Sequence, residues 1–177
     1  MNKITTQSEY FLDKDNNKIF FRGVNLGGSS KLPVRPNGAT NKKDKFFEHL
    51  NVSFVGRPFP LYEADEHFSR LKKWGFNFLR LLTTWEAIEH CGPDIYDEEY
   101  LDYFEEIVKK AGEYDFSVFV DPHQDVWSRF TGGDGAPGWT LELAGFDVRN
   151  IHTSGSAFIH QVHGDPYPKM IWPTNNH

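Results

Sequence analysis

Three short apolar runs alternate with two stretches of helical periodicity, and this alternation constrains the fold more than any other feature of the sequence. The apolar runs are residues 22–26, 76–82 and 116–120. Between them, residues 61–74 and 101–111 carry apolar side chains at every third or fourth position, as one face of a helix does. A strand–helix–strand–helix–strand order favours right-handed crossovers and parallel strands. The sequence therefore predicts an α/β fold.

The segments that flank this alternation are less regular. Residues 9–21 predict a hairpin, because two short apolar runs enclose a polar turn. Residues 31–60 form a long irregular stretch, and loops of that length in a compact domain are usually functional or disordered. The last segment is rich in Gly, Pro and His and predicts only a short helix near residues 139–143. We expect a single domain over residues 1–177, with a hairpin at 9–21, βα units over about 22–121 and a loop-rich tail at 122–177.

Composition excludes several classes of protein. A formal net charge of −6 gives no basic face for nucleic acid. The single cysteine, Cys91, excludes an internal disulfide framework and favours a reducing compartment. Residues 1–9 lack the apolar core of a signal peptide, and no run approaches the roughly 18 apolar residues of a membrane span. We therefore expect a cytoplasmic protein.

Polar and aromatic side chains lie near the end of each predicted strand. The carboxyl ends of parallel strands meet at one rim, which is where barrel enzymes place their sites. Charged and aromatic groups gathered there can bind a polyhydroxylated ligand. The candidates are Asn25 and Lys31 from the first strand and its loop, Arg80, Trp85 and Glu86 from the second, and His123, Asp125 and Trp127 from the third.

Arg80 lies between Leu79 and Leu81, in a run that we expect to be buried. Burial of a guanidinium is costly unless the group is paired and hydrogen-bonded. Two interpretations stay open at this point. The arginine either keeps a catalytic carboxylate ionised or forms a structural ion pair.

His123 alternates with Asp121 and Asp125, so the three side chains share a face if the strand continues through them. The proline between the first two favours a turn instead. A metal site is one hypothesis, with His160 or His163 as a further ligand, because imidazole and carboxylate groups bind metals well. The pattern matches no specific metal motif, and we favour a histidine that hydrogen-bonds the neighbouring carboxylates.

Three aromatic residues, Trp127, Phe130 and Trp139, flank the glycine-rich segment 132–135. Exposed aromatic rings on such a loop are typical of a sugar-stacking platform or a lid. Ordinary packing of the loop is the alternative interpretation.

Taken together, these motifs resemble the opening of a glycoside hydrolase of family 5. The general resemblance is carried by residues 22–25, 74–81 and 121–125. A closer resemblance, to the endoglycoceramidase and fungal steryl-β-glucosidase branch, is carried by residues 29–31, 85–89 and 123–129.

The resemblance implies a (β/α)₈ TIM barrel, of which this chain would be the N-terminal portion, with about three βα units and no closure. It implies a retaining glycosidase that cleaves the β-glucoside of a lipid such as a sterol or a ceramide. Retention uses two glutamates with carboxyl groups about 5–5.5 Å apart. No cofactor and no metal are implied. The expected partner is a carbohydrate or glycolipid, with peripheral membrane contact through parts of the protein outside this sequence.

The resemblance also suggests roles for five residues. Arg80 is similar to the family's strand-two arginine beside the nucleophile, and His123 to the strand-three histidine of the glucose subsite. Lys31 and Asp125 are similar to residues that contact sugar hydroxyls in the glycolipid-cleaving branch. Trp127 completes the candidate substrate-binding set.

The sequence departs from the family in one respect. The family's acid/base glutamate follows an asparagine after strand four and its nucleophile ends strand seven, yet this sequence contains no Asn-Glu dipeptide. A barrel of this kind has about 250 residues. We expect both glutamates beyond His177, and we expect residues 1–177 alone to be inactive and loosely folded, because one strand edge stays unpaired. A non-catalytic carbohydrate-binding remnant and a metal-dependent barrel hydrolase are the alternatives.

Overall fold

Two three-stranded sheets and four α-helices organise the part of the chain that the computed structural model describes, residues 4–36, 45–157 and 159. The strands are β1 (Thr5–Gln7), β2 (Tyr10–Leu12), β3 (Lys18–Ile19), β4 (Gly23–Leu26), β5 (Phe78–Thr84) and β6 (Ser117–His123). The helices are α1 (Ala64–Lys73), α2 (Trp85–Glu89), α3 (Glu98–Glu113) and α4 (Gly138–Leu143). Single 3₁₀ turns lie at Gly28–Lys31, Leu61–Glu63 and Arg129–Thr131.

The central sheet is parallel and has the order β4-β5-β6. Its middle strand, β5, is the most buried, with Leu79 and Leu81 almost inaccessible to solvent. Both residues pack in one core with side chains of α1 and α3, including Phe68 and Ile107. These observations confirm the α/β fold and the strand–helix order predicted from the apolar runs. Over the described residues the sheet does not close into a barrel.

Helix α1 follows the predicted periodicity with a narrower buried face. Ala64 and Phe68 are fully buried, whereas Leu61 and Trp74 at the two ends of the stripe are exposed. The helix ends where Gly75 takes a positive φ of 86°. Only glycine adopts this left-handed conformation without strain, so Gly75 stops the helix as its position predicted.

Helix α3 begins at Asp97, whose carboxylate accepts a hydrogen bond of 2.9 Å from the backbone N–H of Tyr100. Its buried face carries two tyrosines besides Ile107 and Ala111. The hydroxyl of Tyr100 lies 2.9 Å from that of Thr83, and the hydroxyl of Tyr103 donates to the carbonyl of Phe59 at 2.5 Å. Burial raises the pKa of Tyr100 to about 12. The tyrosines can enter the core because their polar ends are paired there.

The predicted hairpin is present and has one more strand than expected. Strands β2 and β3 pair antiparallel around a turn in which the Asp13 carboxylate accepts a backbone hydrogen bond of 2.8 Å from Asn17. That bond lowers the pKa of Asp13. Strand β1 pairs with the other edge of β2 and was not predicted. Asn77 ties this small sheet to the central one, because its amide donates to the carbonyl of Phe20 and accepts from the N–H of Arg22.

Strand β6 is longer than predicted. It pairs with β5 as far as Thr84 and His123, and it passes through Pro122 without a turn. Over the described residues β6 is paired on one side only, which is the setting in which a sheet tolerates proline. Within the described residues β6 pairs only with β5, and Phe119 and Val120 on it are exposed. This agrees with the predicted unpaired edge.

A second, smaller core lies among the loops that follow β4 and β6. Helix α4, which the sequence predicted, contributes Leu141 to this core. Phe46 comes from the loop after β4, and Phe130 comes from the loop after β6. The two loops therefore form one packed layer beyond the carboxyl ends of the strands. No helix in the described ranges is both long and apolar enough to cross a membrane.

Candidate functional site

The carboxyl ends of the three parallel strands bring four polar side chains together. Asn25 on β4 pairs in register with Arg80 on β5. Arg80 Nη2 lies 2.6 Å from Asp121 Oδ2 on β6, and its Nη1 donates to Asn25 Oδ1 at 3.4 Å. The side chain of Arg80 is 34% exposed, so the expectation of a buried guanidinium is only partly right. The arginine forms an interstrand ion pair and still faces solvent at the rim.

His123 lies on the same face of β6 as Asp121, two residues earlier. Its Nδ1 is 3.1 Å from Asp121 Oδ2 and 3.4 Å from Arg80 Nη2. The side chain of His123 is 19% exposed. Because β6 continues through Pro122, the alternation predicted from the sequence holds for this pair of residues. The favoured interpretation, a histidine bonded to a neighbouring carboxylate, agrees with this geometry.

Lys31 reaches the rim from the 3₁₀ turn after β4. Its Nζ lies 3.1 Å from Asp134 Oδ2. The other carboxylate oxygen of Asp134 lies 3.7 Å from His123 Nε2. Asp134 therefore connects the loop after β4 to β6. We call Lys31, Arg80, Asp121, His123 and Asp134 the rim cluster.

Asp134 was not predicted from the sequence. It lies in the glycine-rich segment 132–135, which was considered only for the aromatic residues that flank it. The available signal was a single carboxylate set between Gly133 and Gly135, shortly after a strand whose end carries other polar groups.

Asp125 and Trp127 lie beside the rim cluster rather than in it. The backbone of Asp125 pairs with that of Asp134 in an isolated antiparallel bridge, with N–H to carbonyl distances of 2.9 and 2.8 Å, and the residue is exposed. The indole N–H of Trp127 donates to Thr140 Oγ1 at 2.9 Å. The ring of Trp127 also meets Phe146 edge-on and stays 44% exposed. An exposed ring held in this way is compatible with a stacking platform, which stays a prediction.

A second charged cluster near the strand ends is fully buried. The guanidinium of Arg129 is paired with Glu86, with Nε to Oε distances of 2.8 and 3.0 Å. It also donates to the backbone carbonyls of Phe46 and Glu48. Arg129 and Glu86 are 0% and 2% exposed at their side chains. We call this set the Arg129 cluster. The Glu86 candidate therefore lies in a buried ion pair and not among the exposed groups of the rim.

The remaining aromatic candidates pack against their neighbours. Phe130 is buried, with the Arg129 guanidinium carbon 4.2 Å from the centre of its ring. The indole N–H of Trp139 donates to the carbonyl of Glu89 at 2.7 Å, and its ring meets that of Trp85 edge-on. For Phe130 and Trp139 the interpretation as ordinary loop packing agrees with the structure.

The metal hypothesis gains no support from the described ranges. No group of three or more His, Cys, Asp and Glu side chains lies close enough there to hold an ion. Asp121 is paired with Arg80, and Asp125 is not part of the rim cluster. His160 and His163, the further ligands considered, lie outside the described residues.

Comparisons with known proteins match this chain to a family and to fungal relatives. The family model described as cellulase (glycosyl hydrolase family 5) matches residues 39–154. A glucosylceramidase of Rhizopus delemar is 50% identical over 97% of this chain and 26% of its own length. An ergosteryl-beta-glucosidase of Saccharomyces cerevisiae is 44% identical over 93% of this chain and 24% of its own length.

Among solved structures, sterylglucosidase 1 of Cryptococcus neoformans matches with a TM-score of 0.84 and 41% identity. The match covers 94% of this chain and 24% of that one. The chain thus spans about a quarter of the length of the curated relatives it matches.

Proposed function

Because the chain belongs to glycosyl hydrolase family 5, we propose that the protein hydrolyses the β-glucosidic bond of a glycolipid whose aglycone is a sterol or a ceramide. The observation that carries the proposal is the rim cluster, which lies at the carboxyl edge of a parallel sheet in a chain closely similar to proteins named for these substrates. Family membership agrees with the resemblance predicted from the motifs.

The rim cluster supplies the hydrogen-bonding groups that a glucose unit needs. Lys31 and His123 offer N–H donors to sugar hydroxyls, and both side chains are partly exposed. Asp125, which is exposed beside them, offers acceptors. The ring of Trp127 offers an apolar face to the C–H face of the sugar or to the lipid. These roles agree with those that the family resemblance suggests.

Arg80 acts on the catalytic carboxylate. A guanidinium has five N–H donors, and Asp121 and Asn25 accept from two of its nitrogens. The remaining donors, on the exposed part of the group, hold the nucleophilic glutamate ionised as the reaction requires. The acid/base and nucleophile glutamates themselves belong to segments outside these 177 residues. This assignment rests on the missing Asn-Glu dipeptide and on the greater length of the relatives.

Retaining hydrolysis then follows from two carboxyl groups placed about 5–5.5 Å apart. One protonates the glycosidic oxygen while the other attacks the anomeric carbon, and water later releases glucose with its original configuration. A lipid glucoside resides in a bilayer, so a cytoplasmic location with peripheral membrane contact is part of the proposal.

The test uses the protein purified as its source cells make it, with its mass read by immunoblot. We expect a mass well above 20.5 kDa. We also expect release of β-glucose from ergosteryl glucoside or glucosylceramide, followed by NMR. The variant His123→Ala should lose at least about 100-fold in kcat/KM. The control His67→Ala should stay within about twofold, because His67 stacks on Phe59 away from the rim.

Release of α-glucose, or no release from either lipid, would refute the proposal. A 20.5 kDa protein that binds glucose without hydrolysis would instead support the carbohydrate-binding alternative. Loss of hydrolysis on chelation would support the metal-dependent alternative.

A further inference from the structure

We propose that Asp134 is a positioning residue, which fixes Lys31 and His123 for their contacts with the sugar. The inference rests on the proposed function and adds a residue to its site. Asp134 does not need to touch the substrate, because its side chain is only 6% exposed. It acts through the two residues that its carboxylate faces.

Each carboxylate oxygen of Asp134 faces a different sugar-binding residue, one Lys31 and the other His123. Oδ2 lies 3.1 Å from Lys31 Nζ, and Oδ1 lies 3.7 Å from His123 Nε2. Oδ1 is buried and has no hydrogen-bond partner among the described residues. A buried carboxylate oxygen is costly to leave unpaired, so the nearby imidazole N–H is attracted to it. One anion thus bonds to a lysine from the loop after β4 and faces a histidine from β6.

The backbone around Asp134 is fixed by close approach to the end of β6. Asp134 and Asp125 form the antiparallel bridge described above. A Cβ at Gly133 would lie 1.9 Å from the carbonyl oxygen of Asp125. A Cβ at Gly135 would lie 2.5 Å from Gln124 Oε1, and Gly135 has a φ of 121°. Because Gly133 and Gly135 have no Cβ, the loop can approach the backbone at the end of β6. This contact fixes the position of the Asp134 carboxylate between the two glycines.

A second tie holds the same loop to the central sheet. The carbonyl of Gly135 accepts a hydrogen bond of 2.7 Å from the N–H of Glu86, which follows β5. Asp134 is therefore fixed to both β5 and β6, whereas Lys31 has a long flexible side chain. Because the Asp134 carboxylate is the more rigid of the two groups, it determines where the Lys31 ammonium group lies.

The first test replaces Asp134 with asparagine, which keeps the shape and removes the charge. In the protein as its source cells make it, kcat/KM for a p-nitrophenyl β-glucoside should fall about 30- to 100-fold, since a misplacement of 1 Å can cost about 100-fold. When Asp134→Asn is made in the Lys31→Met variant, the fold-loss in kcat/KM should be at least threefold smaller. An equal loss in both backgrounds would show that Asp134 does not act through Lys31, and would overturn the inference.

The matched control is Asp97→Asn. Asp97 is also a largely buried carboxylate paired with a histidine, 3.1 Å from His90 Nε2, but it lies at the start of α3. Asparagine also caps helices well, so this change tests the loss of a His-paired carboxylate away from the rim. We expect kcat/KM within about twofold of the wild type, and a loss as large as that of Asp134→Asn would contradict a specific role.

A second measurement uses no substrate and needs no change at Asp134. The ring ¹⁵N shifts of His123 are recorded in the wild type and in Lys31→Met, a variant at a partly exposed position. If Asp134 couples the two residues, loss of the lysine leaves the charge of the carboxylate to the imidazole alone and the shifts change. Unchanged shifts would overturn the inference. Because this measurement is independent of hydrolysis, its result stands even if the wild type releases no glucose and the proposed function fails.

Discussion

The rim cluster and the Arg129 cluster both place an arginine against a carboxylate beyond the strand ends, and they differ in almost every other respect. The Arg129–Glu86 pair is buried, and the guanidinium also donates to two backbone carbonyls. The Arg80–Asp121 pair is partly exposed and shares its surroundings with a histidine. The difference indicates that an arginine whose three nitrogens all bond to groups inside the protein supports the fold. An arginine with donors left at the surface is available for a ligand.

The largest effect is expected at the Arg129 cluster. Arg129→Met leaves the Glu86 carboxylate buried without its partner, and breaking a buried pair costs about 3–5 kcal/mol in the free energy of unfolding. Urea denaturation measures the change. The control, Arg70→Met, removes an exposed pair with Glu66 and should cost less than about 0.5 kcal/mol. A loss below about 1 kcal/mol for Arg129→Met would remove the distinction between the two clusters.

The opposite pattern is expected at the rim. Arg80→Met should lower the free energy of unfolding by no more than about 1 kcal/mol, because the pair is partly screened by solvent. Its kcat/KM for β-glucosides should fall at least about 100-fold, since the nucleophile loses its cationic neighbour. Steady-state kinetics and urea denaturation of the same preparation measure both quantities. A variant that is strongly destabilised yet keeps its activity would reverse the assignment of roles.

A smaller effect on the free energy of unfolding is expected at Tyr100, a buried group that is uncharged, in contrast to the two arginine clusters. The pKa of Tyr100 is raised to about 12 by burial, whereas an unfolded tyrosine titrates near 10. The unfolded state therefore loses its proton first as the pH rises. The contribution of Tyr100 to the free energy of unfolding is complete below pH 10. It falls by about 1–3 kcal/mol as the pH approaches 12.

Unfolding measured at pH 9 and pH 11 tests this expectation. Tyr100→Phe should weaken the alkaline loss. Tyr62→Phe, at an exposed position, should leave it unchanged. If Tyr100→Phe has the same alkaline slope as the wild type, burial of this hydroxyl contributes nothing to the pH dependence.

Local sequence patterns were sufficient for the parallel sheet and its helices. The apolar runs marked β5 and β6, and the periodicity marked α1 and α3. These elements were predictable because each depends on residues close together in the chain. The prediction ended β6 too early because Pro122 favoured a turn. Whether a strand continues through a proline depends on which side of the strand is paired, and the local sequence does not reveal this.

The site was predictable only in part. His123 and Arg80 were found because they end or interrupt apolar strands, and Lys31 was found in the loop after the first strand, with its role suggested by the family resemblance. Asp134 was missed because its role depends on a backbone bridge to Asp125 and on a lysine more than one hundred positions away. The pairing of Arg129 with Glu86 was missed for the same reason, since the two residues are 43 positions apart. Contacts of this range follow from the fold and not from a local pattern.

The position of Arg129 has a consequence for how the segments around the rim cluster move. Its guanidinium joins the loop after β4, through two carbonyls, to Glu86 after β5, while Arg129 itself follows β6. One side chain therefore bonds to all three segments. Amide hydrogen exchange across them should therefore report one cooperative opening with a single free energy, rather than three independent fluctuations. Arg129 is then expected to couple the motions of these loops, although it lies outside the rim cluster itself.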